Sequence, residues 1–287
     1  MLYLKAILQA IAQAICEIFP LSYSGFSAIY RDFSNDFSGN INALTGVIHI
    51  GIAVGILVSF FKMFWTETAE FVNGFGELFK KEFSLKNSKK SRIFTYASLI
   101  SFSVFLILII PAGDYGNVCG FMRYFSYNGT VFGEGIAFLL TAGLLYGFTK
   151  VVSSKNRKER DIDWVFALVA GLTALVAVNT SGFSVIVSVL CIGTMMGVSR
   201  RVAGNYAFAL AFPIFLCKGI VEIVSADIEA AVIPSIIAVV LAAAITFVAS
   251  RVFMWTVRKN YLNYFMWYNL GIGSIVTVVG VVQLFIR

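Results

Sequence analysis

The chain has 287 residues, of which 59% are hydrophobic and 13% charged, with 28 Phe and a formal net charge of +7. That leaves too little polar surface to cover a water-soluble globule, so composition excludes a soluble enzyme and specifies an all-α polytopic membrane protein. The four cysteines, Cys16, Cys119, Cys191 and Cys217, lack metal-type spacing and mostly lie in apolar runs; they point to neither a zinc module nor a disulfide framework.

The elements follow in chain order. Residues 1–28 carry Gln9, Gln13 and Glu17 in a mixed helix rather than a signal-peptide core, so this segment is expected to stay in the protein. Pro20 and the Ser/Gly cluster after it interrupt the segment, which therefore predicts a re-entrant helical hairpin instead of one span. Full crossings, each needing about 20 apolar residues, are predicted at 41–62, 93–112 and 130–150. Between the first two lies FVNGFGELFKKEF, where Phe71, Phe75, Leu78 and Phe79 share one helical face and predict an interfacial helix. After the charged KNRKERDID linker, 163–198 is again apolar but broken by Asn, Ser and Gly, a second hairpin; crossings follow at 203–224, 230–250 and 263–286.

Alternation of the six crossings puts seventeen of the 22 Lys and Arg on one face. The positive-inside rule makes that face cytoplasmic, sets both chain ends outside, and sends the first hairpin in from the outer surface and the second from the cytoplasm. The net charge is thus an orientation signal, and no nucleic-acid partner is implied. Two halves result, 1–152 and 161–287, each one hairpin plus three crossings. An odd number of crossings per half inverts the second relative to the first, the plan in which broken helices meet to form a site.

The tetrapeptide SGFS falls at both predicted hairpin tips, Ser24–Ser27 and Ser181–Ser184. In the first hairpin Gln13 and Glu17 are spaced i,i+4 and share a helix face, and the loop adds Ser22, Tyr23, Ser24 and Gly25. A carboxylate within a membrane costs about 2.5–3.5 kcal/mol and is by default a functional residue. The second tip offers Asn179, Thr180, Ser181, Gly182 and Ser184, hydroxyls that also serve simple helix packing, and no charge before Arg200 and Arg201. His49, the sole histidine, sits in the first crossing and reads as a hydrogen-bonded core residue.

QAICEIFPLSYSGF resembles the signature of the undecaprenyl-diphosphate phosphatase (bacitracin-resistance) family, E-x-x-x-E-F-x-P-x-S-S-T-G-H. Gln13 stands for the first Glu and Glu17 for the second; Phe19 falls one place late, Pro20, Ser22 and Gly25 match, and Tyr23 and Phe26 replace a Ser and the His. SGFSVIV followed by Gly197-Val198-Ser199-Arg200 is similar to the second signature, P-G-x-S-R-S-G with G-M-S-R. There Gly182 and Ser184 match, while Ser181, Val185 and Ile186 replace Pro, Arg and Ser. VIHIG at 47–51 and FMWYNLGIG at 265–273, with Asn269 for a usual Arg, extend the likeness over nearly the whole chain.

The resemblance implies a fold of paired re-entrant hairpins in an inverted repeat. It also implies a polyprenyl (undecaprenyl) phosphate or diphosphate ligand and residence in a bacterial cytoplasmic membrane. Gln13, Glu17, Ser22, Tyr23, Ser24, Gly25, Thr180, Ser181, Gly182, Ser184 and Arg200 would form the lipid-phosphate site. A transition-state arginine is worth about 10³–10⁵ in rate, which Val185 cannot supply, and a single carboxylate holds a divalent cation poorly. The leading expectation is therefore non-catalytic binding and translocation of an anionic polyprenyl lipid, with Glu17 the coupled group. The rival is an active diphosphatase with Glu17, Ser22, Ser24 and Ser184 as catalytic candidates, the one case that calls for a divalent cation; otherwise no cofactor or metal is expected. A scaffold subunit of an envelope pathway is the third reading, and a homodimer stays open.

Overall fold

A computed structural model describes residues 2–34, 43–79, 89–111, 113, 131–154, 159–226 and 232–286. The basic residues at 80–86 and 155–158, and Cys119, lie outside them, as do the side chains of Leu78 and Phe79.

The described residues form helices and the turns between them. The first half comprises α1 (Leu2–Ile18), α2 (Tyr23–Ser34), α3 (Ala43–Ser59), α4 (Phe61–Phe79), α5 (Lys90–Ser103) and α6 (Phe132–Ser153). The second comprises α7 (Trp164–Asn179), α8 (Val185–Met195), α9 (Arg200–Val224), α10 (Val232–Lys259) and α11 (Leu262–Ile286). Two short helices and then three long ones thus recur, α4 being the one addition. The segment Lys90–Leu108 and helices α6, α9, α10 and α11 are long and apolar enough to cross a membrane, and α3 with α4 makes a sixth candidate, bent by 83°.

Several boundaries differ from the sequence reading. Helix α2 runs on to Ser34 rather than ending at 28, and α10 runs nine residues past 250 to Lys259. Hydropathy stops at the first charge, whereas the helix continues until its backbone bonds are redirected. In α10 that happens at Asn260, in the left-handed region at φ +60°, where Asn260 N–H donates to the Val257 carbonyl and Tyr261 N–H to Thr256. The α8 end is built the same way on Gly197 at φ +97°, with Val198 N–H donating to the Gly193 carbonyl. The crossing predicted at 93–112 tightens from α5 into a 3₁₀ turn over Val104–Ile109.

Packing follows membrane rules: small residues inside, large apolar ones outside. Ala6, Ala10 and Ala14 form a fully buried i,i+4 stripe on α1, while Ile233, Ile236 and Val240 on α10 and Ile275, Val278 and Phe285 on α11 are exposed. Helices α3 and α9 run antiparallel at the centre. At one end a Cβ on Gly46 would come within 2.7 Å of the Gly219 carbonyl, and at the other Phe60 stacks on Phe208 at 4.5 Å. Only glycine lets the two backbones approach this closely.

Helix α4 leaves α3 after Ser59, and its Phe71 and Phe75 are exposed and stacked at 6.2 Å, the arrangement expected of an interfacial helix. It is tied to α5 by Arg92, which donates to both Glu77 carboxylate oxygens at 2.7 and 2.9 Å and to Glu70 at 3.3 Å. Arg92→Ala removes this tie and is expected to lower the melting temperature. The Ser91 hydroxyl and then the Arg92 guanidinium hold the Glu70 carboxyl below the usual carboxylate range. Its contribution is therefore present above the ordinary carboxylate pKa and lost as pH falls through the depressed value. The wild type should accordingly lose more melting temperature on acidification than Arg92→Ala.

Candidate functional site: the two hairpin tips and a buried carboxylate–imidazole array

Each pair of short helices is joined by a turn with a defined cause. Pro20 stops α1, and Ser22 adopts φ +49°, turning the chain into α2. The buried Ser22 hydroxyl accepts from the Gly25 N–H at 3.3 Å, capping α2, and lies 3.3 Å from the Ser24 hydroxyl. The second turn, after Thr180, passes through Gly182 at φ +96°, and the buried Ser184 hydroxyl caps α8 by accepting from Val187 N–H at 3.4 Å. The two turns touch: a Cβ on Gly25 would lie 2.9 Å from the Gly182 Cα, and one on Gly182 would lie 2.8 Å from the Ala137 Cβ of α6. Both glycines of the repeated SGFS are thus the contact itself.

Asn269, fully buried on α11, donates to the Pro20 carbonyl and to its own helix at Phe265, both at 2.8 Å. The residue standing where the resemblance has an Arg is a strut for the first turn. Asn269→Ala should cost about 1–3 kcal/mol by orphaning the Pro20 carbonyl. It should also speed maleimide labelling of the half-buried Cys16 one turn away.

Below the first tip lies a polar array. Gln13 and Glu17 share a face of α1, as their spacing requires, and both point at His49 of α3: Gln13 Nε2 is 3.1 Å and Glu17 Oε1 3.6 Å from His49 Nε2. The other ring nitrogen, Nδ1, is 2.5 Å from Glu222 of α9. Phe215 stacks on the imidazole at 5.7 Å, and Gln9 holds the Thr45 hydroxyl at 2.9 Å. Lys218 is close enough for its charge to act on Glu17, and Tyr23 lies beside Gln9 and within electrostatic range of Glu17 and Glu222. Gln13, Glu17 and His49 are buried, whereas Glu222 and Lys218 are half-buried, so the array runs from the packed centre towards the α9 C-terminus. The Gln13 carbonyl oxygen is buried and accepts no hydrogen bond among the described residues.

A carboxylate, an imidazole and a second carboxylate in line can hold a proton and pass it across the ring, because protonation at one ring nitrogen favours release from the other. The set does not fit a divalent cation. The two carboxylates lie on opposite sides of the imidazole and cannot share an ion, and among the described residues no three His, Cys, Asp or Glu side chains form a ligand group.

Gln13, Glu17, Ser22, Tyr23, Ser24, Gly25, Thr180, Ser181, Gly182 and Ser184 therefore fall at or beside the paired tips. Arg200 does not. It begins α9 and donates to the Val257 carbonyl at 3.5 Å, while Glu222 is near the other end of the same helix, roughly 33 Å away at 1.5 Å per residue. Spacing after the SGFS could not show that α8 carries the chain away from the tip before α9 begins. Two residues of the array went unread, Glu222 and Lys218. Their signal was present, since both are charges inside the predicted 203–224 crossing. His49 is buried as expected, but it is the hinge of the array and not a bystander in the core.

These features define a polytopic, all-helical membrane protein in which two interrupted helix pairs meet tip to tip beside buried ionisable groups. Residues 6–275 match the family described as Bacitracin resistance protein BacA, and the chain belongs to that family. It is 26% identical over 97% of its length to an undecaprenyl-diphosphatase of Methanosphaera stadtmanae, covering 98% of that protein. It is 27% identical to one of Alkaliphilus metalliredigens, over 95% of this chain and 96% of the other. A third, from Oceanobacillus iheyensis, is 28% identical over 93% of both.

Proposed function

We propose that the chain binds the phosphate headgroup of a polyprenyl carrier lipid, undecaprenyl phosphate or a close relative, at the paired hairpin tips and moves it across the cytoplasmic membrane of a bacterium. Each interrupted helix pair enters from its own face and returns, within inverted halves at 1–152 and 161–287, with the basic face inside. One observation carries this reading: the array at the tips is built for proton movement, Glu17–His49–Glu222, yet among the described residues no arginine stands beside it to stabilise a phosphoryl transition state. Serine hydroxyls and backbone amides at the two turns supply the headgroup donors, and Ser22 and Ser184 are already committed as acceptors in helix caps.

The second reading is hydrolysis, favoured by the relatives being undecaprenyl-diphosphatases and by His49, which sits beside Glu17 and takes up the acid–base work that Phe26 cannot do. Lys218 would then neutralise charge. Proteoliposomes loaded with a fluorescent polyprenyl phosphate separate the two. Movement of label between leaflets without phosphate release from the diphosphate supports translocation. Phosphate release dependent on His49 supports the diphosphatase and displaces the first reading.

A further inference from the structure

The α3–α9 pair has a second polar end. Opposite the His49–Glu222 contact, where α3 finishes and α9 begins, lies an open cleft of about 1080 Å³ lined by the α3–α4 bend, the start of α5, residues 159–162, the α8–α9 turn and Arg251 of α10. Five cations and three carboxylates line it. Two of the cations are matched: Lys90 pairs with Asp161 at 2.7 Å, and Arg160 with Asp163. The other three, Lys62 of α4, Arg201 of α9 and Arg251 of α10, make no ion pair among the described residues; Arg251 spends one donor on the Ser59 carbonyl at 3.3 Å. Glu67 and Glu159 also reach the wall, so unpaired cations still exceed unpaired carboxylates.

Three cationic groups that converge from three helices on one concave volume differ from the scattered juxtamembrane Lys and Arg of an orientation signal. A polyanion held in this volume can draw charge-assisted hydrogen bonds from these groups. The wall adds neutral donors: the Asn205 amide, the Ser199 hydroxyl, which caps nothing, and the first amides of the 25-residue α9, whose dipole favours an anion at this end. The volume suits a diphosphate or a phosphorylated headgroup.

We propose that this cavity at the α3–α4 bend is a second binding site, for a phosphate-bearing anion, built on Lys62, Arg201 and Arg251. It does not depend on what the hairpin-tip site does with its ligand. The anion is either a lipid headgroup phosphate or a free phosphate compound.

The test uses the full chain in phosphatidylcholine nanodiscs. Inorganic diphosphate is titrated by calorimetry in one arm, and retention of phosphatidic acid is read by native mass spectrometry in the other. Saturable binding in either arm is expected, weakened about tenfold by Lys62→Gln and again by Arg201→Gln, retained by Lys62→Arg, and unchanged by Glu17→Gln. Binding of diphosphate identifies a soluble source, and binding of phosphatidic acid alone a lipid source. Both glutamine changes are at exposed positions, so an unaltered melting temperature reports intact folding. The proposal is overturned by no binding in either arm, by binding indifferent to Lys62 and Arg201, or by binding lost in Glu17→Gln, which would place the anion at the other end of the α3–α9 pair.

Discussion

Glu17→Gln is expected to slow transport or hydrolysis of the carrier lipid by about a hundredfold or more, the range for losing a positioned acid–base group, while leaving the melting temperature nearly unchanged. The side chain keeps its volume, but the oxygen now 3.6 Å from His49 Nε2 is exchanged for an amide that carries no charge and takes no proton. Glu222→Gln acts on the other ring nitrogen, 2.5 Å away, and should produce a loss of the same order. Because both work through one imidazole, the double variant should be little worse than either single one. Initial rates in proteoliposomes check this, and a Glu17→Gln protein with a wild-type rate would remove the array from the mechanism.

The second large effect concerns the contact between the tips. Gly182→Val should destabilise the protein by about 2–4 kcal/mol and abolish function, for two additive reasons. At φ +96° any side chain is strained. The new Cβ would also press on Ala137 at 2.8 Å and stay within 3.2 Å of the Glu134 carbonyl, neither of which can yield without moving α6. Gly25→Ala meets only the second difficulty, since Gly25 lies within α2, but its Cβ would strike the Gly182 backbone at 2.9 Å and the Phe138 ring at 3.0 Å. It should be milder in stability and still severe in lipid binding, because it pushes one tip off the other. Melting temperature and headgroup binding, measured on both variants, separate strain from separation.

The chain departs from the family signatures it resembles at positions that keep the architecture intact. The residues replaced at Phe26, Val185 and Asn269 are side chains. Phe26 packs against Phe138 at 5.6 Å, Val185 is buried at the start of α8, and Asn269 braces the Pro20 carbonyl. Each of these three positions holds a packing or bracing side chain, while glycines and capping serines fix the turns.

Composition alone determined the all-helical membrane class, and apolar run length with interruptions at Pro20 and at Thr180–Gly182 predicted six crossings and two broken pairs; five helices are long enough to cross, and α3 with α4 is the bent sixth candidate. The i,i+4 spacing of Gln13 and Glu17 likewise fixed their common face. What faced them was decided by the tertiary structure. His49 lies 32 residues after Glu17 and Glu222 lies 173 after His49; the packing of α1 on α3 brings the first pair together, and the crossing of α3 and α9 at Gly46 and Gly219 the second. The packing of α4, α9 and α10 likewise brought Lys62, Arg201 and Arg251 to the lining of one cavity. Local pattern reports the period and the breaks of a single helix; which charges become neighbours depends on the angle and register at which helices distant in sequence pack.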